Sequence, residues 1–179
     1  MSRPSAKQEI IDAALRLAAR SGVGALTFEA IAEEAGKTKG GVIYHFASKD
    51  DLVRSVIARL VEAWDADAAR LLPVPFEEAS REDRIVAYML SSMESTGEID
   101  AVGDLSVIVD VMRDERYAEI WIALRDRWVG DIATLSPDQQ LALVAADGIW
   151  IDEAMQQAPY PPERRAEIVA RLVEMARRG

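Results

Sequence analysis

The sequence of 179 residues lacks several of the residue types from which reactive sites are built. It contains no cysteine, which excludes disulfides and thiolate metal sites, and its single histidine argues against a histidine-based metal centre. No run approaches the ~18 apolar residues of a membrane span, and the N-terminal stretch has no apolar signal core. We therefore expect no metal, no cofactor, no membrane partner and a cytoplasmic location.

Recognisable catalytic groups are also missing. The sequence shows no paired catalytic carboxylates, no nucleophile constellation and no phosphate-binding loop, and His45 has no evident partner. A non-enzymatic function is therefore the prediction. Two alternatives stay open, which are an enzyme and a helical adaptor that binds another protein through its N-terminal part.

Lysine is scarce, and its distribution along the chain is uneven. All four lysines lie within the first 49 residues of a chain whose formal charge is -10. Residues 1–52 are neutral, with seven basic and seven acidic side chains, so the later residues hold the whole negative charge. Nucleic-acid-binding domains are usually basic. The distribution is either chance or the sign of an N-terminal unit with its own partner.

Strand signals are weak, and helical periodicity extends along the whole chain, which predicts an all-α fold of about nine helices. Gly22 and Gly36 are expected to end the first two helices. Helix starts are predicted at N-cap residues or capping-box pairs, namely Ser5 with Gln8, Thr27, Thr38, Ser48 with Asp51, and Ser136 with Gln139.

Residues 28–46 are predicted to form two short helices joined by a tight turn that contains glycine. This is the layout of a helix-turn-helix, whose second helix enters the major groove of DNA. Gly40 and Gly41 weaken that second helix, because glycine in a helix costs ~1 kcal/mol relative to alanine. They either let the backbone approach DNA closely or allow tight packing between helices.

Two lysines lie where a helix disfavours positive charge. Lys39 and Lys49 fall in the first turns of their predicted helices, where the helix dipole favours anions. A DNA phosphate at these positions would remove the conflict, and the hydroxyls of Thr27 and Thr38 are placed to reach phosphates as well. Tyr44 and His45 are either further phosphate contacts or surface residues without a role.

The stretch AGKTKGGVIYHFASKDDL, residues 35–52, resembles the signature of TetR-type transcriptional regulators, and the match covers about residues 6–64. The resemblance implies an all-helical homodimer with a helix-turn-helix DNA-binding domain at residues 1–50, followed by the start of a long fourth helix to about residue 64. Residues 51–179 would then form an effector-binding and dimerisation domain.

The resemblance also implies roles for single residues. Thr27, Tyr44, His45 and Lys49 would contact phosphates, and Lys39, Gly40 and Gly41 would face base edges. The candidate DNA-binding set also includes Lys37 and Thr38, in the turn before the second helix. Two positions depart from the family pattern, because Ile43 replaces a frequent aromatic residue and Ala47 a frequent proline.

The larger C-terminal part contains aromatic residues and methionines that form either a packed core or an adaptable apolar pocket. Two carboxylates interrupt apolar runs. Asp110 is expected to face water, whereas Asp147 either faces water, pairs inside the protein or receives a ligand. The candidate effector-binding residues are Met89, Met93, Met112, Tyr117, Trp121, Trp128, Asp147 and Trp150.

The last two predicted helices are apolar over wide faces. They could pack within one subunit or form a four-helix bundle with a second copy. The leading hypothesis is a ligand-responsive repressor, whose homodimer binds a near-palindromic double-stranded DNA operator and is released by a small-molecule effector.

Overall fold

The computed structural model describes residues 5–93, 101–155 and 160–178. Within these ranges the chain forms nine α-helices and two 3₁₀ turns without a strand, which confirms the predicted all-α fold. The helices are α1 (Ala6–Ser21), α2 (Phe28–Glu34), α3 (Lys39–His45), α4 (Lys49–Arg70), α5 (Arg81–Met93), α6 (Ala101–Met112), α7 (Glu115–Val129), α8 (Pro137–Ala154) and α9 (Pro162–Ala176). The described residues contain no helix long and apolar enough to cross a membrane.

The helix starts follow the local sequence closely. The side-chain oxygens of Thr27 and Thr38 each accept the backbone N–H three residues on, at 3.1 and 3.0 Å. Ser136 and Gln139 form the complete capping box, with both reciprocal hydrogen bonds. Such caps each contribute ~1 kcal/mol to helix stability.

The other two predicted capping boxes are only half formed. Ser5 accepts the Gln8 backbone N–H at 3.2 Å, but the Gln8 amide donates to Asp12 instead of reaching back to the cap. Ser48 accepts the N–H of Asp51, whose carboxylate accepts from Ala47 rather than from Ser48. In both cases a competing partner lies within reach of the side chain.

The described residues divide into two compact units. The first comprises Met1–Glu62 with Val102–Trp121, and the second comprises Ala63–Ala101 with Ile122–Gly179. The core of the first unit joins α1, α2, α3 and the start of α4, and its fully buried side chains include Ile10, Leu26, Ile31, Val42, Phe46, Leu52 and Val56. The first unit therefore holds α3 on an apolar base.

Asp110 of α6 is bound inside the first unit, so the expectation that it faces water is wrong. Its carboxylate accepts the backbone N–H of Val23 at 2.8 Å, at the 3₁₀ turn that follows α1. That N–H opens the turn and has no partner within it, so an external acceptor stabilises it. Gly22, with φ of 79°, makes room for the same carboxylate.

The second unit is built on α8, which packs against both α5 and α9. Polar contacts tie α8 and α9 together as an antiparallel pair. The Gln139 amide donates to the Ala176 carbonyl at 3.3 Å near one end. The Arg165 guanidinium donates to the Glu153 carboxylate at 2.5 Å near the other end. These ties fix the register between the two helices.

Candidate DNA-binding surface

The short helix α3 has one buried and one outward side. Val42 is fully buried, as is Phe46 immediately after the helix, and together they anchor α3. Lys39, Gly40, Ile43 and Tyr44 are exposed on the other side. The Tyr44 side chain is 85% exposed, so the fold of the first unit gains almost nothing from this ring.

The structure separates the two explanations of the adjacent glycines. A Cβ atom added to Gly40 would meet no atom within 4 Å, so packing within the described residues does not require glycine there. A Cβ on Gly41 would lie 3.3 Å from the Thr38 hydroxyl oxygen, which accepts the Gly41 N–H. Internal packing therefore does not explain Gly40, for which clearance for an external partner stays the prediction, whereas Gly41 also fits closely against the helix cap.

Each candidate lysine has an acceptor within the first unit. The Lys39 ammonium lies 2.5 Å from the Glu29 carboxylate, and this hydrogen bond lowers the pKa of Glu29. Lys37 lies 2.6 Å from the carboxylate of Glu9. Ion pairs as exposed as that of Lys39 contribute little to stability, so a phosphate can replace the carboxylate.

Lys49 has a different acceptor from the other two lysines. Its ammonium donates to the Gly24 carbonyl at 3.3 Å, and the side chain is exposed in the first turn of α4. Asp50 and Asp51 share that turn and satisfy the preference of the helix dipole for negative charge. Lys49 therefore remains accessible to a phosphate without being needed to stabilise α4.

The remaining candidates lie at the same surface. Thr27 and Thr38 are exposed, and each hydroxyl oxygen accepts a backbone N–H while its hydrogen can still be donated to an anion. His45 is half-buried, with its ring edge-on to Tyr44 at 5.1 Å between centroids. We call Thr27, Lys37, Thr38, Lys39, Gly40, Gly41, Tyr44, His45 and Lys49 together the α3 surface.

Sequence reasoning missed three residues at this surface. Ile43 was read only as a departure from a family pattern, yet it is exposed on the outward side of α3. Glu9 and Glu29 were not recognised as the partners of Lys37 and Lys39. No spacing within one helix predicts these pairs, because they depend on how α1, α2 and α3 pack. The side-chain period of α3 around buried Val42 would have predicted the exposure of Ile43.

The candidate effector-binding residues fall into both units. The first unit contains Met112, Tyr117 and Trp121. Tyr117 is buried, and its hydroxyl donates to the Asp50 carboxylate at 2.8 Å. The Arg54 and Tyr117 hydrogen bonds lower the pKa of Asp50. Tyr117 thus has a partner within its own unit, whereas Met112 is exposed.

The second unit contains the other five candidates. Met89, Met93 and Trp128 are buried, and the Trp128 indole donates to the Asp65 carboxylate at 2.8 Å. These three residues form part of a packed core in the structure.

The remaining two candidates, Asp147 and Trp150, lie close together on α8. The Trp150 ring meets Trp64 edge to face, at 5.7 Å between centroids. The Asp147 side chain is accessible to solvent, but partial burial raises the pKa of its carboxyl to about 6, and nearby Arg125 acts against this shift. Asp147, one helical turn before Trp150, is therefore a member of the predicted effector set that does not belong to the packed core.

Two models of known protein families match parts of this chain. A model described as bacterial regulatory proteins of the tetR family matches residues 10–56, and a model described as a tetracyclin repressor-like C-terminal domain matches residues 82–177. The chain belongs to the TetR family. Members of this family are DNA-binding transcriptional regulators and not enzymes, which confirms the resemblance and the prediction of a non-enzymatic function.

Individual members of the TetR family match nearly the whole chain. The transcriptional regulator BetI of Agrobacterium fabrum is 26% identical over 166 residues, which is 87% of this chain and 80% of BetI. A regulator from Streptomyces coelicolor A3(2) has a TM-score of 0.71 at 21% identity, covering 97% of this chain and 99% of that one. The multidrug binding protein EbrR, solved with malachite green, has a TM-score of 0.66 at 20% identity, covering 94% and 98%.

Proposed function

We propose that this TetR-family regulator is a ligand-responsive repressor, which binds a near-palindromic operator as a homodimer and is released by a small-molecule effector. The observation that supports the proposal best is the α3 surface, with its exposed tyrosine and its lysines in exposed, easily exchanged contacts. Such a protein would work in the cytoplasm, where its operator lies.

DNA would bind the α3 surface by exchange of partners. The ammonium groups of Lys37, Lys39 and Lys49 would leave Glu9, Glu29 and the Gly24 carbonyl for DNA, while Thr27, Thr38, Tyr44 and His45 would donate to phosphates. Phosphate contacts fix the position of the protein on DNA, and contacts to base edges select the sequence. Lys39, Gly40 and Gly41 lie at the start of α3, where recognition helices usually contact bases.

A homodimer would place two such surfaces on one face of the DNA. Successive major grooves on that face are ~34–36 Å apart, so two α3 helices must hold this spacing. The apolar side chains of Leu141, Val144, Ile151 and Met155 are exposed on α8. A contiguous apolar helix face that its own subunit leaves open is typical of a protein interface, and a second copy would bury it.

The effector would bind in the second unit. Asp147 lies one helical turn before Trp150, whose ring contacts Trp64. A carboxylate and aromatic faces in this region suit a ligand with an apolar body and a cationic or hydroxyl group. The multidrug binding protein EbrR, which has a similar fold, was solved in complex with malachite green, and this supports a small-molecule effector. An effector would release DNA only by its preference for a dimer with another head spacing.

The direct test is a gel shift with the purified chain and the DNA that flanks its own gene. We expect sequence-selective binding that weakens steeply as salt increases, because the lysines displace counterions from phosphates. Failure on all flanking DNA by a stable, folded dimer would contradict the proposal. Capture of a protein partner by the α3 surface under the same conditions would instead favour the adaptor alternative.

A further inference from the structure

Lys7 differs from the other three lysines of the chain in what holds its ammonium group. Lys37 and Lys39 each pair with a carboxylate, and Lys49 donates to a backbone carbonyl. The Lys7 ammonium lies over the ring of Phe46, 5.3 Å from the ring centroid, and no acidic side chain of the described residues pairs with it. The Lys7 charge is therefore not neutralised within the part of the chain that the structure describes.

Phe46 connects Lys7 to the α3 surface. This residue follows directly after α3 and its side chain is fully buried, so the Lys7 ammonium lies where the end of α3 meets the start of α1. Tyr44 and His45, which are candidate phosphate contacts, form the last turn of α3. The N-cap Thr38 lies at the other end of this short helix, roughly 10 Å away at 1.5 Å per residue. Lys7 thus adds an exposed positive charge at the end of α3 remote from its N-cap.

The ring of Phe46 holds the Lys7 ammonium without using its hydrogen-bond donors. An aromatic face attracts a cation but does not neutralise it. An ammonium group has three N–H donors, and the ring occupies only one side of it. Lys7 can therefore bind an anion while it stays on the ring. Lys39, in contrast, must first leave the Glu29 carboxylate. The ring contact also restricts a long side chain, so less conformational entropy is lost on binding.

The fold of the first unit has little use for the charge of Lys7. This residue lies in the first turn of α1, where the helix dipole favours anions and opposes an ammonium group. The stem of the side chain can cover Phe46, but an apolar side chain of the same length would cover the ring as well. An anion close to this surface would give the charge a role.

We propose that Lys7 contacts a phosphate of the DNA backbone beside the C-terminal end of α3, whatever the DNA sequence. This inference rests on DNA binding by the α3 surface in the proposed function, and it extends that surface to the start of α1. Phosphate contacts fix the orientation of a protein on DNA. Contacts near both ends of α3 would set the angle at which the helix enters the major groove, because a helix held at one end can pivot.

Lysine footprinting tests the contact in the native chain. The chain has four lysines, so partial acetylation followed by mass spectrometry can report each one separately. The probes are the DNA that flanks its own gene and a random-sequence duplex of the same length. We expect both duplexes to slow the acetylation of Lys7 at least about threefold once the protein is saturated, because phosphates are common to all sequences.

Substitutions separate the charge of Lys7 from the packing of its stem. Lys7→Met keeps an apolar cover on Phe46, so we expect roughly fivefold weaker binding to both duplexes and a salt slope reduced by about one for each bound subunit. Lys7→Arg keeps the charge and should lose much less. Arg16→Met is the matched control, because Arg16 lies on the same helix but pairs with Glu34. Fluorescence anisotropy measures the affinities, and circular dichroism checks the folding of each variant.

Two results would overturn the inference while DNA binding by the chain stands. One is unchanged acetylation of Lys7 in the DNA complex, and the other is equal affinity of the folded Lys7→Met and Arg16→Met variants. If Lys7→Met does not fold, the footprint of the native chain decides. A folded native chain that binds neither duplex would refute the proposed function itself.

Discussion

The α3 surface contrasts with the α8 surface, which consists of the exposed apolar residues Leu141, Val144, Ile151 and Met155. Both expose large side chains, but the two surfaces differ in kind. The α3 surface combines Tyr44 with lysines that carboxylates or a carbonyl already hold, so the isolated chain keeps each charge solvated and paired. The α8 surface, in contrast, exposes apolar side chains to water. The comparison teaches that a surface for a transient anionic partner can be stable alone, whereas the α8 surface is suited to a lasting partner.

The largest expected effect comes from placing a charge on the α8 surface. Val144 is 68% exposed in the subunit, so Val144→Asp should not disturb its own fold. In the proposed dimer the new carboxylate would be buried without a partner, and we expect at least a ~100-fold rise in the dimer dissociation constant with loss of operator binding. The matched control is Val74→Asp, at an exposed valine outside α8. Equal effects of both substitutions would contradict the comparison.

Removal of single lysines should distinguish the phosphate contacts of the α3 surface from its contacts to base edges. Lys49→Ala should weaken binding to all DNA sequences about tenfold and reduce the salt slope by about one, because one phosphate contact is lost. Lys39→Ala should instead change the preference among operator variants. Arg113→Ala removes the same charge elsewhere in the first unit and serves as the control. Fluorescence anisotropy over a range of salt concentrations measures all three.

The Asp147 carboxyl predicts a pH dependence of stability in the second unit. Its pKa is about 6 in the folded chain against 3.8 as the ordinary value, so the folded state binds more protons between these values. Stability due to this group is therefore lost as pH rises through that window. Asp147→Asn should raise the free energy of unfolding at pH 7 by about 1 kcal/mol, reduced from the full shift because the side chain is solvent-accessible. Urea unfolding at pH 4.5 and 7 tests this, and an unchanged pH profile would rule it out.

The smallest effect should come from the acceptor that competes with DNA for Lys39. Glu29→Gln removes the carboxylate charge without a change of shape, so operator affinity should rise about threefold. Glu33→Gln removes the same charge from α2 without touching Lys39 and should have less effect. Fluorescence anisotropy measures the operator affinity of both variants. An equal rise in affinity would mean that Glu29 acts only through the net charge of the chain and not through its contact with Lys39.

Local features of the fold were predictable because they depend on neighbours in sequence. Thr27, Thr38 and Ser136 cap helices because each acceptor lies three residues from its donor. The exposure of Lys39 and Tyr44 likewise follows from the burial of Val42 between them. The family signature at residues 35–52 supplied the function, since charge and periodicity alone left a protein-binding adaptor open as an alternative.

Features that depend on distant packing were not predictable in the same way. Asp110 lies 87 residues from Val23 in the sequence. Nothing in the run VIVDVM predicts that the Asp110 carboxylate accepts the backbone N–H of Val23. The open face of α8 was hidden because this helix is apolar on both sides, so its period does not distinguish core from interface. The exposure of the α8 surface depends on how α5 and α9 pack against this helix, and its own sequence does not predict that packing.

Gly22 has a consequence for genetics. Its backbone, with φ of 79° and ψ of 161°, lies in a region that only glycine occupies at low cost, and a Cβ would come within 2.9 Å of the Asp110 carboxylate. Every substitution there strains the junction after α1 and disturbs the hydrogen bond that joins it to Asp110 of α6. A selection for mutants that have lost DNA binding should therefore repeatedly yield substitutions of Gly22, although this residue is outside the α3 surface and the predicted effector set.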